Sequence, residues 1–177
     1  MTIEINEDIR LDELSRQHKG FISALRADLL EQERVFLGRD FILASSIQSF
    51  IEKYKNLTDK ESWKCFVIFY EEIPVGMFNI YFISEQYGQT ISRAASLEYV
   101  IIRSMRRKGM MKHILNEARK IVDRVDSVKE PNTLIVSKID KDNEISRNLA
   151  LVSGFKFVWH QLNDENTLVY LKKELTG

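Results

Sequence analysis

The sequence predicts a mixed α/β domain, a sheet covered by helices, and three observations carry that reading. Apolar residues recur at helical spacing over the first third, β-branched and aromatic residues dominate from Trp63, and strands then alternate with helices before a closing hairpin. An order of strand, helix, strand, helix and hairpin excludes a helical bundle or a barrel. The 177 residues, 44% hydrophobic and 29% charged, fit one domain with one core, in a helical part over 1–62 and a sheet-rich part over 63–177.

Each element has its own signal. From Asp8 to Phe36, Leu11, Leu14, Phe21, Leu25, Leu29 and Leu30 lie at helical spacing between charged residues, with Gly20 as a break. Ser45 or Ser46 caps a second helix through Phe50, Ile51 and Tyr54, ended by Leu57-Thr58-Asp59. Trp63–Tyr70 and Val75–Ile83 then form a hairpin across Glu71-Glu72-Ile73-Pro74. After a polar loop, Ser84 to Arg93, come a third strand from Ala95 to Ile102 and a helix from Lys108 to Val125. A fourth strand, Thr133 to Ile139, follows Pro131, and a short helix from Asn143 to Val152 stops at Gly154, the usual residue for a left-handed cap. Phe155–Leu162 and Thr167–Leu171 close the chain around the turn Asn163 to Asn166. No repeat, linker or low-complexity tract interrupts this order.

Composition excludes several function classes. The 26 basic and 26 acidic residues balance, so attraction to nucleic acid or an anionic membrane would need a local patch. Residues Met1 to Arg10 lack the basic start and apolar stretch of a secretory signal, and no run reaches the roughly 20 apolar residues of a membrane span. A cytoplasmic protein is expected. Cys65, the single cysteine, lies against Phe66-Val67-Ile68-Phe69 and reads as a buried, inert thiol. His18, His113 and His160 have no carboxylate or cysteine at ligand spacing, so no metal is assigned. Phe78, Tyr81 and Phe82 read as sheet packing.

The chemistry lies between Leu97 and Met111, where a strand runs through a basic turn into a helix. A helix opening at Lys108 or Gly109 presents amides without partners and the positive end of its dipole, which together suit phosphate oxygens. Gly109, lacking a β-carbon, lets a ligand approach the backbone closely. Nucleic acid is the poorer reading of these charges, because no aromatic residues interleave with them as a stacking platform.

Arg106-Arg107-Lys108-Gly109 resembles the acetyl-CoA pyrophosphate turn of the GCN5-related N-acetyltransferases (GNAT), written Gln or Arg, two residues, Gly, one residue, then Gly or Ala; here the sixth position is Met111. Asn143, Ser146, Leu149, Gly154 and Phe155 resemble the family's closing helix, Asn-x-x-Ser/Ala ended by Gly-Phe. Tyr99-Val100-Ile101 and Asn143-Glu144-Ile145-Ser146 look most like the branch that acetylates ribosomal-protein amino termini. The resemblance runs from Trp63 to the carboxyl terminus. It implies a mostly antiparallel sheet of six to seven strands, with 63–177 as the cofactor-binding core and 1–62 on the acceptor side.

It further implies transfer of an acetyl group from acetyl-CoA, as cosubstrate, to a primary amine of a protein amino terminus or small molecule, in a ternary complex. Free amides of Val100, Ile101 and Ile102 would hold the pantetheine arm. Backbone from Arg106 through Arg107, Lys108, Gly109, Met110 and Met111 to Lys112 would cradle the pyrophosphate, and Asn143 would touch the cofactor near its arm. Strand alternation puts Ser96, Glu98 and Val100 on one face, and Glu98 is the candidate base. The related branch often carries glutamate at the position of Ser96. Relatives' general-acid tyrosine corresponds to Ala150, so Ser146 is the candidate partner of the leaving sulfur, ahead of Tyr99 and Tyr170. Ser146 also reads as a simple helix cap, and Glu98 as a solvent-exposed or ion-paired residue. A non-catalytic CoA-binding or partner-binding module on the same fold is the alternative. An exposed edge strand near the carboxyl terminus leaves room for a homodimer.

Overall fold

The computed structural model describes residues 1–29, 49, 52, 62–87, 90–129, 132–161 and 164–172. Its strands are β1 (Thr2–Glu4), β2 (Ile9–Glu13), β3 (Trp63–Tyr70), β4 (Ile73–Tyr87), β5 (Thr90–Ile101), β6 (Leu134–Asp140), β7 (Phe155–Gln161) and β8 (Asp164–Lys172). Among the described residues the helices bounded at both ends are α1 (Lys19–Asp28), α2 (Met110–Asn116), α3 (Ala118–Val125) and α4 (Glu144–Val152). The strands follow the order β1-β2-β3-β4-β5-β6-β8-β7 in one sheet, mostly antiparallel, with a parallel β5/β6 pair. The fold class is as expected, although eight strands exceed the expected six to seven. The chain clusters into two compact units, Met1–Ile80 with Glu98–Met110, and Tyr81–Leu97 with Met111–Gly177.

In the first unit the amino terminus departs from expectation. The helix expected from Asp8 begins only at Lys19, because Ile9 and Leu11 follow a period of two and are buried. That strand pairs with β1 on one side and β3 on the other, so tertiary pairing overrides the helical spacing. The Asn6 side-chain oxygen accepts the amides of Asp8 (3.0 Å) and Ile9 (2.8 Å), an Asx turn that reverses the chain. Gly20 is no break: it sits in the first turn of α1. The turn into α1 is instead made at Ser15, whose amide donates to Nδ1 of buried His18 at 3.1 Å. Burial holds the His18 pKa below its ordinary value, opposed by Asp12 and assisted by Arg10. The expected continuation of the first helix to Phe36, and the second helix apart from helical Ser49 and Glu52, lie outside the described residues.

Strand β3 has the expected bounds. Cys65 within it is fully buried, and burial pushes its thiol pKa well up. The turn to β4 is tighter than expected, made by Glu71 (φ 47°) and Glu72 (φ 65°), both left-handed as two-residue hairpins require. The loop expected from Ser84 to Arg93 is mostly strand, since β4 runs to Tyr87 and β5 starts at Thr90. Thr90, Ile91 and Tyr87 are strong strand formers, and they outweigh the polar residues between them.

In the second unit, β5 pairs in parallel with β6 through Ala94↔Leu134, Ala95↔Ile135 and Ser96↔Val136, and α2 and α3 form the crossover. The helix expected over Lys108 to Val125 is divided at Glu117, yet Glu117 donates to His113 O and Ile121 to Glu117 O, carrying the hydrogen bonding across. Ile114, Leu115, Ala118, Ile121, Val122 and Val125 are its buried stripe. Beyond α3, Asp126 is 3% exposed and binds Arg93 (Nη2 to Oδ1, 2.9 Å), the Val128 amide (3.1 Å) and the Thr133 hydroxyl (3.3 Å). The Arg93 guanidinium also lies 4.6 Å from the Phe82 ring centre. Lys172 reaches the carbonyls of Leu115, Asn116 and Ser153, closing the ends of α2 and α4. Gly154 takes φ 83° after α4, as expected of the cap.

Candidate active site

The turn between β5 and α2 is built from the strand outward. Ile102 donates its amide to Val75 O at 2.9 Å, so the end of β5 is held by β4. A 3-10 turn, Arg103–Met105, follows, with Met105 donating to Ile102 O and Arg106 to Arg103 O. Arg106 is extended, Arg107 is left-handed at φ 65°, and Gly109 is left-handed at φ 79° just before Met110 opens α2. A non-glycine residue in this region is uncommon and marks a backbone determined by its surroundings. Two left-handed residues thus flank Lys108, and left-handed residues within a turn are the kind of backbone from which anion nests are built.

The charged side chains keep that geometry in place. Arg106 folds back and donates Nε to Ile101 O at 2.9 Å. Arg103 donates Nε (2.8 Å) and Nη2 to Asp28 O, while its amide donates to Asp28 Oδ2 at 2.8 Å. The last residue of α1 is thereby tied to the turn. Lys108 stands 5.7 Å from the Tyr70 ring centre. Among the described residues, the amides of Arg107, Lys108 and Gly109 have no acceptor. All three residues are exposed. A β-carbon built on Gly109 meets nothing within 4 Å, so glycine serves its φ and the open space beside it.

The expectations for individual residues fall out unevenly. Ile102 does not offer a free amide, since β4 already takes it; in an antiparallel pair alternate residues turn the other way, which directs Tyr99 and Ile101 away from β4. Val100 shares the orientation of Ile102 by the same alternation. Met110 and Met111 are buried, 3% and 6% exposed, so their side chains are core and only their backbone belongs to the turn, while Lys112 is exposed. Gly76 was not singled out by its sequence context. A β-carbon there would lie 2.3 Å from Val100 O, so β4 and β5 approach closely only because it is glycine.

Glu98 and Tyr99 are half-buried on β5 in the first unit. In the second unit Asn143 caps α4, its side-chain oxygen accepting the Ser146 amide at 3.1 Å. The cap therefore uses the Ser146 backbone and not its hydroxyl, which removes the reading of Ser146 as the capping side chain. Ala150 is buried in α4, and Tyr170 is a core residue edge-on to Phe157 at 5.9 Å. His113 is exposed, and no cluster of three or more potential metal ligands occurs among the described residues. No helix among them is long and apolar enough to cross a membrane.

Residues 9–156 match the family described as the acetyltransferase (GNAT) domain. No curated protein sequence matches significantly. Among solved structures, a RimL ribosomal L7/L12 alpha-N-protein acetyltransferase in complex with coenzyme A superposes with TM-score 0.72 at 17% identity, covering 97% of each chain. The microcin C7 self-immunity acetyltransferase MccE, in complex with acetyl-CoA and AMP, gives 0.69 at 18%, covering 96% of this chain and 94% of that one. A dodecameric spermidine N-acetyltransferase from Vibrio cholerae gives 0.62 at 18%, covering 94% and 92%. At these identities the likeness is one of fold.

Proposed function

Because this chain belongs to the GNAT acetyltransferase family and is an acyl-CoA-dependent acetyltransferase acting on an amine, we propose that acetyl-CoA is its cosubstrate and that the nest at Arg107–Gly109 takes the pyrophosphate. The observation that supports this most is the run of three amides without acceptors, those of Arg107, Lys108 and Gly109, in exposed residues of which the first and last are left-handed. Backbone donors of this kind recognise phosphate oxygens without a moving side chain. Arg107, Lys108 and Lys112 supply charge around it, while Arg106 fixes the turn through Ile101 O. The pantetheine arm takes the backbone of Ile101, which turns away from β4, and Asn143 is the residue that the family resemblance assigns to the cofactor near that arm.

In this reading Glu98 removes a proton from the amine, directly or through a water, and the nitrogen attacks the thioester carbonyl. The new N–C bond replaces the C–S bond. The CoA thiolate departs and is stabilised by the Ser146 hydroxyl. The acceptor is a primary amine of a protein amino terminus or a small molecule, in keeping with neighbours described as acting on ribosomal L7/L12 and on spermidine. The chain works in the cytoplasm, and the edge strand β7 offers pairing with a second copy. The non-catalytic alternative is not favoured. Calorimetry with coenzyme A, followed by assay of thiol released from acetyl-CoA in the presence of amines, tests the proposal: saturable binding and amine-dependent thiol release are expected. Absence of CoA binding to the folded chain would refute it.

A further inference from the structure

Asn79, in the middle of β4, is fully buried at 0% exposure, and neither its side-chain nitrogen nor its oxygen has a hydrogen-bond partner. A buried amide with neither group paired to another protein group is rare, because burial without a partner is costly. Its position is fixed by the β4–β5 hairpin. Ile102 donates to Val75 O, β4 ends at Tyr87 as β5 starts at Thr90, and Arg93 shares a face with Phe82. The first observation sets an antiparallel register, and the other two agree with it. Stepping from Val75 to Asn79 and from Ile102 back to Glu98 brings those two residues opposite each other, on one face of the sheet. Directly opposed residues have β-carbons about 4.5–5.5 Å apart.

We propose that Asn79 binds the acceptor: its side-chain oxygen receives an N–H of the primary amine whose proton Glu98 removes. The inference rests on the acetyl-transfer reading and adds a specificity residue to it. A primary ammonium has three N–H bonds: one proton goes to Glu98 before attack, one passes to the departing CoA thiolate as the amide forms, and one stays on nitrogen facing Asn79. As nitrogen attacks, it gains positive charge, so the hydrogen bond to Asn79 strengthens toward the transition state, which is where an interaction raises kcat. The ammonium proton goes to Glu98, the N–C bond forms, the C–S bond breaks, the electron pair leaves with sulfur, and the second nitrogen proton passes to that thiolate. A neutral amide suits this position. A second carboxylate would compete with Glu98 for the proton.

The test compares the full chain with Asn79→Leu, close to Asn in shape, and Asn79→Ser. Measured for each are CoA binding by calorimetry, the melting temperature, and thiol release from acetyl-CoA with spermidine and with a peptide bearing a free amino-terminal serine. Asn79→Leu is expected to bind CoA as wild type does, to melt no lower than wild type, and to lose at least tenfold in kcat with the KM for acetyl-CoA unchanged. Asn79→Ser should recover part of that loss through its hydroxyl. Full turnover by Asn79→Leu overturns the proposal, as does a lower melting temperature with turnover reduced only through unfolding. Should neither amine be turned over by wild type, the melting comparison still decides: destabilisation by leucine means the amide is structural. Failure of wild type to bind CoA would count against the acetyltransferase mechanism instead.

Discussion

Two places in the molecule use arginine in opposite ways. At Asp126 the guanidinium of Arg93 meets a carboxylate that is 3% exposed, and the carboxylate also takes an amide and a hydroxyl. At the turn after β5, Arg103 and Arg106 reach main-chain carbonyls at Asp28 and Ile101, and the turn's own amides are left facing out. The first arrangement consumes charge to hold a crossover in place. The second fixes geometry while leaving a net positive, donor-rich surface, which is what a polyanionic ligand requires.

If that contrast is right, the largest loss of stability comes from the first place. Asp126→Ala leaves Arg93 half-buried without its carboxylate and should cost about 3–5 kcal/mol in chemical denaturation. A loss below about 1 kcal/mol, the range of exposed pairs, would break the comparison. The pH dependence has a definite sign. Burial alone would raise the Asp126 pKa, but the Arg93 hydrogen bond, the Val128 amide, the Arg93 charge and Thr133 bring it below its ordinary value. This stability is present above the unfolded carboxylate pKa of about 3.9 and is lost as pH falls below it. His18, held neutral by burial, adds an earlier decline as pH falls through about 6.5, which His18→Gln should remove from the denaturation profile.

The next effect concerns the support beneath the turn. Gly76→Ala would place a methyl group 2.3 Å from Val100 O and 2.7 Å from Ile101 Cδ1. Strands β4 and β5 must part to admit it, at about 1–3 kcal/mol. Since Ile102 is tied to Val75 next door, CoA binding should weaken together with stability. A variant with normal binding and lowered stability would separate the strand from the turn.

Much of this was legible in the sequence wherever period and punctuation agreed. Strand β3, the helix from Glu144 to Val152 and its Gly154 terminus follow their local signals, and the basic turn was visible from Arg106 to Gly109. The amino terminus was misread because Leu11, Leu14 and the later leucines fit a helical stripe while Ile9 and Leu11 equally fit a strand. Pairing with β1 and β3, which lies far along the chain, decides between them, and no local window contains it. The Ser84–Arg93 loop failed for a related reason: polar residues suit a strand as well as a loop where the pairing is between neighbouring strands. Asn79 and Gly76 were invisible because their meaning lies in what stands across the sheet.

Within the turn itself, Gly109→Val distinguishes ligand from scaffold. Nothing lies within 4 Å of the added β-carbon, so the protein loses only the left-handed backbone preference, about 1–2 kcal/mol. CoA affinity should fall tenfold or more, about 1.4 kcal/mol, since the added atoms occupy the space proposed for the diphosphate. Unchanged affinity in a folded variant would move the phosphate site elsewhere.

The smallest expected effect is also the most discriminating. Arg107 holds a left-handed conformation that costs a side-chain-bearing residue about 1–2 kcal/mol, while glycine gives back about 0.5–1 kcal/mol through the freedom of the unfolded chain. The two nearly cancel, so Arg107→Gly should alter the denaturant midpoint by less than about 1 kcal/mol, toward greater stability. Its guanidinium is exposed, and an exposed charge contributes about 0.2–1 kcal/mol, so CoA affinity should fall about two- to fivefold with a weaker salt dependence. Loss of binding altogether would mean that the side chain grips the anion and the backbone merely carries it. Retention of most of the affinity places recognition in the amides of Arg107, Lys108 and Gly109, which the variant leaves in place.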